Sequence, residues 1–130
     1  MYRFAVLAVL LLAMYSDVTA CTSAEWPRES LLKLKTDGFP VSEDTDRQRV
    51  IDQLAACLTS PDPVLRDGVA YEGLSTMLRK NALDPQQLRK LRTVLYAQLA
   101  AEDPDGVARP FAALMLSEVA RTDRVATWMD

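Results

Sequence analysis

The chain has 130 residues, of which 49 % are apolar and 25 % charged, a composition typical of one globular domain and not of a disordered chain. It carries 15 Lys and Arg against 18 Asp and Glu, so we expect no nucleic-acid partner, because nucleic-acid-binding domains normally have a basic surplus. It contains no histidine, which excludes every catalytic or metal site that requires an imidazole.

The first twenty residues have the pattern of a secretory signal peptide. Arg3 precedes an apolar run from Phe4 to Met14, and Val18 and Ala20 occupy positions −3 and −1 of a cleavage site. As a helix this run reaches roughly 16 Å, about half of a ~30 Å hydrocarbon core. We therefore predict that residues 1–20 are a signal peptide and that residues 21–130 form a single helical domain, exported to the periplasm.

Cys21 follows the predicted cleavage site directly, and two fates are open for it. Together with Cys57 it gives an even cysteine count in a chain bound for an oxidising compartment, which predicts a disulfide. Alternatively, Val18-Thr19-Ala20-Cys21 is a lipobox, Cys21 is lipidated and anchors the chain to the membrane, and Cys57 is a buried thiol. Ordinary cleavage is favoured because the Leu preferred at −3 of a lipobox is absent.

The rest of the chain has the helix start and stop signals of a series of helical hairpins. It lacks the alternation of apolar and polar residues that is typical of β-strands. Helix starts are marked by an Asp that caps the helix and a Pro whose missing N–H is harmless in the first turn. This device occurs at Asp62-Pro63, Asp84-Pro85 and Asp103-Pro104. Helices are predicted near residues 27–35, 45–59, 63–80, 84–101 and 107–122.

Two of these segments form a weak repeat. Asp62-Pro63 recurs as Asp103-Pro104 after 41 residues, and Leu74-Ser75 recurs as Leu116-Ser117 after 42 residues. Such a spacing is typical of HEAT-type helix pairs. We expect an all-α fold in which antiparallel helical hairpins stack as a short, right-handed HEAT-like array of about five helices after the signal peptide. A plain helical bundle is the alternative.

Two longer strings resemble a known family. Residues 61–80 (PDPVLRDGVAYEGLSTMLRK) and 103–123 (DPDGVARPFAALMLSEVARTD) are similar to an uncharacterised bacterial family, domain of unknown function 2785. The resemblance covers roughly Trp26 to Trp128. It implies an all-α, HEAT-like architecture and supplies no established activity. Family members have further helices after the equivalent of Thr122, so we expect this chain to be a truncated or minimal version.

One acidic residue, Asp67, falls on an apolar helix face. On a wheel of 3.6 residues per turn it lies near the middle of an apolar arc, which consists of Val64, Ala70, Tyr71, Leu74, Met77 and Leu78. A carboxylate on a core face must be paired or neutral. We predict a buried polar network in which Asp67 meets Arg66, Arg109 or first-turn amides; a general acid or ligand-binding group is the alternative.

The last helix is apolar over most of its circumference and is followed by only eight residues after Thr122. Helical arrays normally end in a capping element with a polar outer face. We therefore predict an exposed apolar patch at Leu114, Leu116, Val119 and Trp128. This patch is expected to drive self-association through the last helix or to bind a partner.

The catalytic and metal-binding motifs in the sequence are incomplete. Ser30 and Lys33 match Ser-x-x-Lys without the companion motifs of serine enzymes. Asp103-x-Asp105-Gly106 is a fragment of a calcium loop and is better explained as a helix start. We therefore expect no cofactor and no metal site.

The function predicted from these observations is that of an exported, non-catalytic protein-binding or scaffold module of the cell envelope, with a protein or peptide partner. Two alternatives stay open. One is an envelope enzyme that uses carboxylates such as Asp67, Glu72 or Glu118. The other is a lipid-anchored envelope lipoprotein, which meets the membrane only through Cys21.

Overall fold

The computed structural model of the chain describes residues 21–40 and 43–129, and this part is all-helical, without a β-strand. The all-α prediction is thereby confirmed for these residues, while the predicted signal peptide lies outside them. The helices are α1 (Arg28–Thr36), α2 (Asp44–Cys57), α3 (Glu72–Arg79), α4 (Pro85–Ala100) and α5 (Ala108–Val125). A π-helical segment, Val64–Tyr71, runs directly into α3. None of the described helices combines the length and the apolarity needed to cross a bilayer.

Asp84-Pro85 starts α4 as the sequence predicts, whereas Asp103 and Pro104 lie in the turn before α5. The Asp84 carboxylate accepts the Gln87 backbone N–H at 2.8 Å, and the Gln87 side chain accepts the Asp84 N–H at 3.0 Å, so that two otherwise orphaned donors are satisfied. Asp103 accepts three successive backbone N–H groups at the start of α5, from Val107, Ala108 and Arg109, at 3.0–3.1 Å. These hydrogen bonds lower the pKa of Asp103, that from Arg109 most.

The core is formed mainly by α2, the π-helical segment with α3, and the α4–α5 pair. α2 packs against the π-helical segment, α3 and α4, while α5 packs against α4 and α3. α1 packs on the π-helical segment. The side chains that are buried most completely come from every helix: Leu31, Ile51, Leu54, Leu58, Val69, Leu74, Leu78, Leu91, Leu95, Met115 and Val119.

The turn after α1 is fixed by one aromatic ring. Gly38 and Phe39 both have positive φ, 77° and 58°, and their N–H groups bond to the last carbonyls of α1. This conformation directs the Phe39 ring, 8 % exposed, onto Gly73 of α3. A Cβ at Gly73 would lie 2.7 Å from Cε1 of Phe39, so a larger residue there would displace the ring.

Candidate functional site

The two cysteines are joined. Cys21 and Cys57 form a disulfide, with 4.4 Å between their Cα atoms, and Cys57 is the last residue of α2. The side-chain amide of Gln53, one turn earlier on α2, donates to the backbone carbonyl of Cys21. The predicted pairing is present, and it attaches the segment before α1 to α2.

Asp67 is not where the helical wheel places it. Its side chain is 52 % exposed and accepts a hydrogen bond from Arg66 Nε at 2.8 Å. The prediction of a buried Asp67 is therefore wrong, although Arg66 is one of its expected partners. The physical reason is the π-helix, whose i→i+5 hydrogen bonds put more than 3.6 residues in each turn. Leu65 is consequently buried, while Val64 is 46 % exposed.

In the π-helical segment, the charged side chain that points inward is that of Arg66. Its side chain is 12 % exposed, and its guanidinium carbon lies 4.8 Å from the centre of the Phe111 ring. Nη1 also donates to the carbonyls of Ser60 and Pro61, at 3.3 and 3.4 Å. Arg109, the other expected partner of Asp67, instead donates to the Ala101 carbonyl at 2.7 and 3.0 Å. The predicted three-residue network is thus not formed.

The predicted apolar patch on the last helix is only partly exposed. Leu114 is 49 % exposed and Leu116 is partly buried, whereas Val119 and Trp128 are buried, at 1 % and 5 %. The prediction is wrong for those two residues. Self-association through α5 stays a prediction that depends on Leu114 and its exposed neighbours.

A turn at the end of α5 accounts for the burial of Trp128. The Asp123 carboxylate accepts the backbone N–H groups of Trp128 and Met129, at 2.6 and 2.8 Å, and so turns the chain back. The indole N–H of Trp128 donates to the Thr122 hydroxyl at 2.9 Å, and the Arg92 guanidinium lies 5.2 Å from the ring centre. Residues 123–129 thereby cover the end of the last helix pair, where the sequence led us to expect no capping element.

This closure leaves an apolar cleft of about 300 Å³ beside Trp128, between the start of α4 and the end of α5. We call it the apolar cleft; its lining includes Leu78, Leu83, Leu88, Thr122, Val125 and Trp128. The Thr122 hydroxyl is already satisfied, because it accepts from the indole and donates to the Val119 carbonyl at 2.6 Å. The cleft consequently offers shape and apolar surface but few free polar groups.

A second cleft, of about 340 Å³, has a different chemistry. It lies between the turn after α1, the first part of α2 and the end of α3. We call it the basic cleft; its lining includes Phe39, Pro40, Arg47, Thr76, Met77 and Lys80. Two of these side chains are cationic, one is a hydroxyl and none is a carboxylate.

The two cations of the basic cleft differ in their surroundings. Nη1 of Arg47 is 2.7 Å from a carboxylate oxygen of Asp44, whereas its Nε is buried without a hydrogen-bond partner in the described part of the chain. Lys80 is exposed at the end of α3 and forms no ion pair within residues 21–40 and 43–129. The cleft therefore carries an unneutralised positive charge.

The carboxylates considered for catalysis are each paired with a cation. Glu72 Oε2 lies 3.0 Å from Lys35 Nζ. Glu118 is mostly buried and accepts hydrogen bonds from Arg79, at 2.8 and 3.3 Å, and from Arg121 at 3.3 Å. Hydrogen bonds from these two arginines, that from Arg79 first, hold the pKa of Glu118 below its usual range. The arrangement favours the ionised form and links α3 to α5.

Sequence reasoning missed the basic cleft. Its residues come from two distant stretches of the chain, residues 38–47 and 76–82, so no local motif joins them. One signal was available: Arg47 stands near the start of α2, where the helix dipole disfavours a cation. A residue that breaks a local preference is often retained for another reason.

Comparison with protein-family models, with curated proteins and with solved structures finds no match to this chain. The resemblance to domain of unknown function 2785 accordingly stays a prediction.

Proposed function

We propose that the protein is an exported, disulfide-stabilised helical module of the cell envelope that acts by binding a protein or peptide and not by catalysis. The observation that carries the proposal is the disulfide between Cys21 and Cys57, the first of which directly follows the predicted cleavage site. Disulfides persist in oxidising compartments such as the periplasm and are rare in the cytosol.

The same bond supports soluble export over lipid anchoring. A lipoprotein carries its lipid on the sulfur of the first cysteine, and a sulfur bonded to Cys57 has no valence left for that thioether. The cost of giving up the bond is considerable, since closing a loop of this length is worth about 4 kcal/mol in the chain-entropy model.

The ion pairs of the acidic residues support a binding role over the carboxylate-enzyme alternative. A general acid needs a carboxyl group that holds its proton near neutral pH. Glu118, the most buried of the candidates, is held ionised by Arg79 and Arg121. Asp67 and Glu72 are about half exposed and lie beside Arg66 and Lys35.

A HEAT-like stack is the architecture we propose for this module. Contacts of α2 with α4, and of α3 with α5, are those expected when the hairpin α2–α3 lies on the hairpin α4–α5. The contact of α1 with the π-helical segment extends the second row of helices. Stacks of this kind present extended surfaces, which suits a protein or peptide partner.

The test is to express the full chain in a bacterium and measure the location and intact mass of the product. We expect a soluble periplasmic species that begins at Cys21 and is lighter than its reduced form by two hydrogens. Retention of residues 1–20 would contradict export, and a larger mass in the membrane fraction would favour the lipoprotein.

Two single variants serve as matched controls. Cys57→Ser removes the bridge but leaves Cys21 available for lipidation, while Cys21→Ser removes both. If export is soluble, both variants stay in the soluble periplasmic fraction. Membrane attachment of Cys57→Ser alone would show that lipidation competes for Cys21.

A further inference from the structure

We propose that the basic cleft binds a carboxylate carried on an apolar group, the chemistry of the C-terminal residue of a peptide. The inference rests on the proposed binding role and adds the class of ligand. It assigns the ionic contact to Lys80 and Arg47 and the apolar contact to the wall formed by Phe39, Pro40 and Met77.

The charge of the cleft matches a single negative charge. Arg47 and Lys80 contribute two positive charges, and Asp44, paired with Arg47 at 2.7 Å, removes one. The Asp44 side chain is 82 % exposed, so its pairing with Arg47 is strongly screened by solvent. One net positive charge suits a carboxylate better than a phosphate dianion, which proteins usually bind with several cations or with backbone amides.

The two cations of the cleft are open to a ligand carboxylate. The exposed Lys80 forms no ion pair among the described residues, and the ion-pair partner of Arg47, Asp44, is largely exposed to solvent. A cation that is not neutralised can donate charge-assisted hydrogen bonds to a carboxylate. The Thr76 hydroxyl on the same wall can donate to the second carboxylate oxygen.

The cleft, of about 340 Å³, lies at the lower end of the size range of small-ligand sites, which suits a single terminal residue. The apolar wall is preformed, because the positive-φ turn at Gly38 and Phe39 holds the phenyl ring against Gly73. A preformed wall reduces the entropy lost when a ligand binds.

The competing explanation is that Lys80 only complements the negative end of the α3 dipole. This explanation predicts a small loss of stability when the Lys80 charge is removed. It predicts that the affinity for a ligand does not depend on this charge. Ligand binding and stability are therefore measured on the same variants.

The experiment titrates the exported protein, with its disulfide intact, with N-acetyl-leucine and follows the amide signals by two-dimensional NMR. We expect low-millimolar binding, with the largest shifts at Gly38, Phe39 and residues 76–80. N-acetyl-leucinamide has the same shape without the charge, N-acetylglycine has the charge without the apolar group, and inorganic phosphate is an anion alone. Each of the three is expected to bind more weakly by about tenfold.

Lys80→Gln is expected to weaken N-acetyl-leucine binding by about tenfold, and Lys80→Arg to restore most of it. Lys90→Gln, which removes a lysine that faces Asp52 on another part of the surface, is the matched control and should change nothing. The proposal is overturned by equal binding of the neutral amide, by tighter binding of phosphate, by shifts centred on Trp128, or by unchanged affinity in Lys80→Gln. None of these outcomes affects export, which fractionation and mass measure independently.

Discussion

The two outer segments of the described chain are attached to the helices by different kinds of interaction. Before α1, Cys21 is covalently bonded to Cys57, and Glu25 pairs with Arg49 at an exposed position. After α5, Trp128 is held by packing and hydrogen bonds, with Asp123 as the central acceptor. The first attachment depends on redox conditions, whereas the second depends on packing and pH. The difference predicts that each can be released without releasing the other.

The largest effect is expected from removing the covalent attachment. Reduction, or the double variant Cys21→Ser with Cys57→Ala, should lower the free energy of unfolding by about 4 kcal/mol, since the loop joined by the bond spans 36 positions. This corresponds to a fall in Tm of roughly 15 °C in a domain of this size. Thermal melts followed by circular dichroism, with and without reductant, measure it.

The double variant supplies the control for that experiment, because its Tm should not respond to reductant. Trp26 lies in the first segment, so the fluorescence is measured in a Trp26→Phe background; there Trp128 should keep its buried emission in the reduced protein at low temperature. A reduced protein in which this signal is lost together with the first segment would show that the two attachments are coupled.

Trp128→Ala should lower the free energy of unfolding by about 3 kcal/mol, because removal of a large buried side chain leaves a cavity. Trp128→Phe keeps most of the packing and loses the hydrogen bond to Thr122, for a cost of about 1 kcal/mol. Urea unfolding of the disulfide-bonded protein measures both. Tyr96→Ala is the matched control, since Tyr96 is 57 % exposed, and a cost of that variant equal to that of Trp128→Ala would contradict the assigned burial.

Acid should weaken the second attachment, whereas the covalent bond of the first does not depend on this titration. The backbone N–H groups of Met129 and Trp128 lower the pKa of Asp123, so its ionised form stabilises the fold above the unfolded-state pKa of about 3.9. This stabilisation is lost as the pH falls through the lower, folded-state pKa.

Asp123→Asn should therefore reduce the difference in Tm between pH 7 and pH about 3, relative to the native chain. Asp62, Asp103 and Glu118 also have lowered pKa values and supply the remaining pH dependence. The double cysteine variant should keep the full pH dependence. An unchanged pH dependence in Asp123→Asn would be inconsistent with this carboxylate holding the second segment.

The smallest effect is expected at Asp67, which belongs to neither segment. Asp67→Ala should change the free energy of unfolding by less than about 0.5 kcal/mol, because its ion pair with Arg66 is half exposed. Arg66→Ala, by contrast, removes the contact with Phe111 and should lower the free energy of unfolding clearly more than Asp67→Ala does. A larger loss for Asp67→Ala than for Arg66→Ala would restore the buried network that the sequence predicted.

These contrasts show what the sequence could predict. The helices are marked by local chemistry, Asp caps and prolines, and their observed bounds differ from the predicted ones by one to three residues. The disulfide followed from counting cysteines. Helix caps depend on local hydrogen bonds, and two cysteines allow a single intramolecular pairing. Both could therefore be predicted without the tertiary structure.

The errors arose where tertiary structure changes the local rule. The wheel failed at Asp67 because the period of a π-helix is longer than 3.6 residues. The apolar patch was overestimated because the turn at Asp123, which brings Trp128 back onto the helices, has no sequence motif. The basic cleft joins Phe39, Arg47 and Lys80 from three separate elements.

The position of the two cysteines has a consequence for how an exported chain matures. With two cysteines in the sequence, one intramolecular pairing exists, so a thiol oxidase suffices and no disulfide isomerase is required. The bond encloses α1 and α2. Under the export proposed above, it can form once Cys57 has emerged from the translocon, before α4 and α5 follow. The N-terminal part of the domain can thus be covalently closed while the C-terminal part is still being delivered.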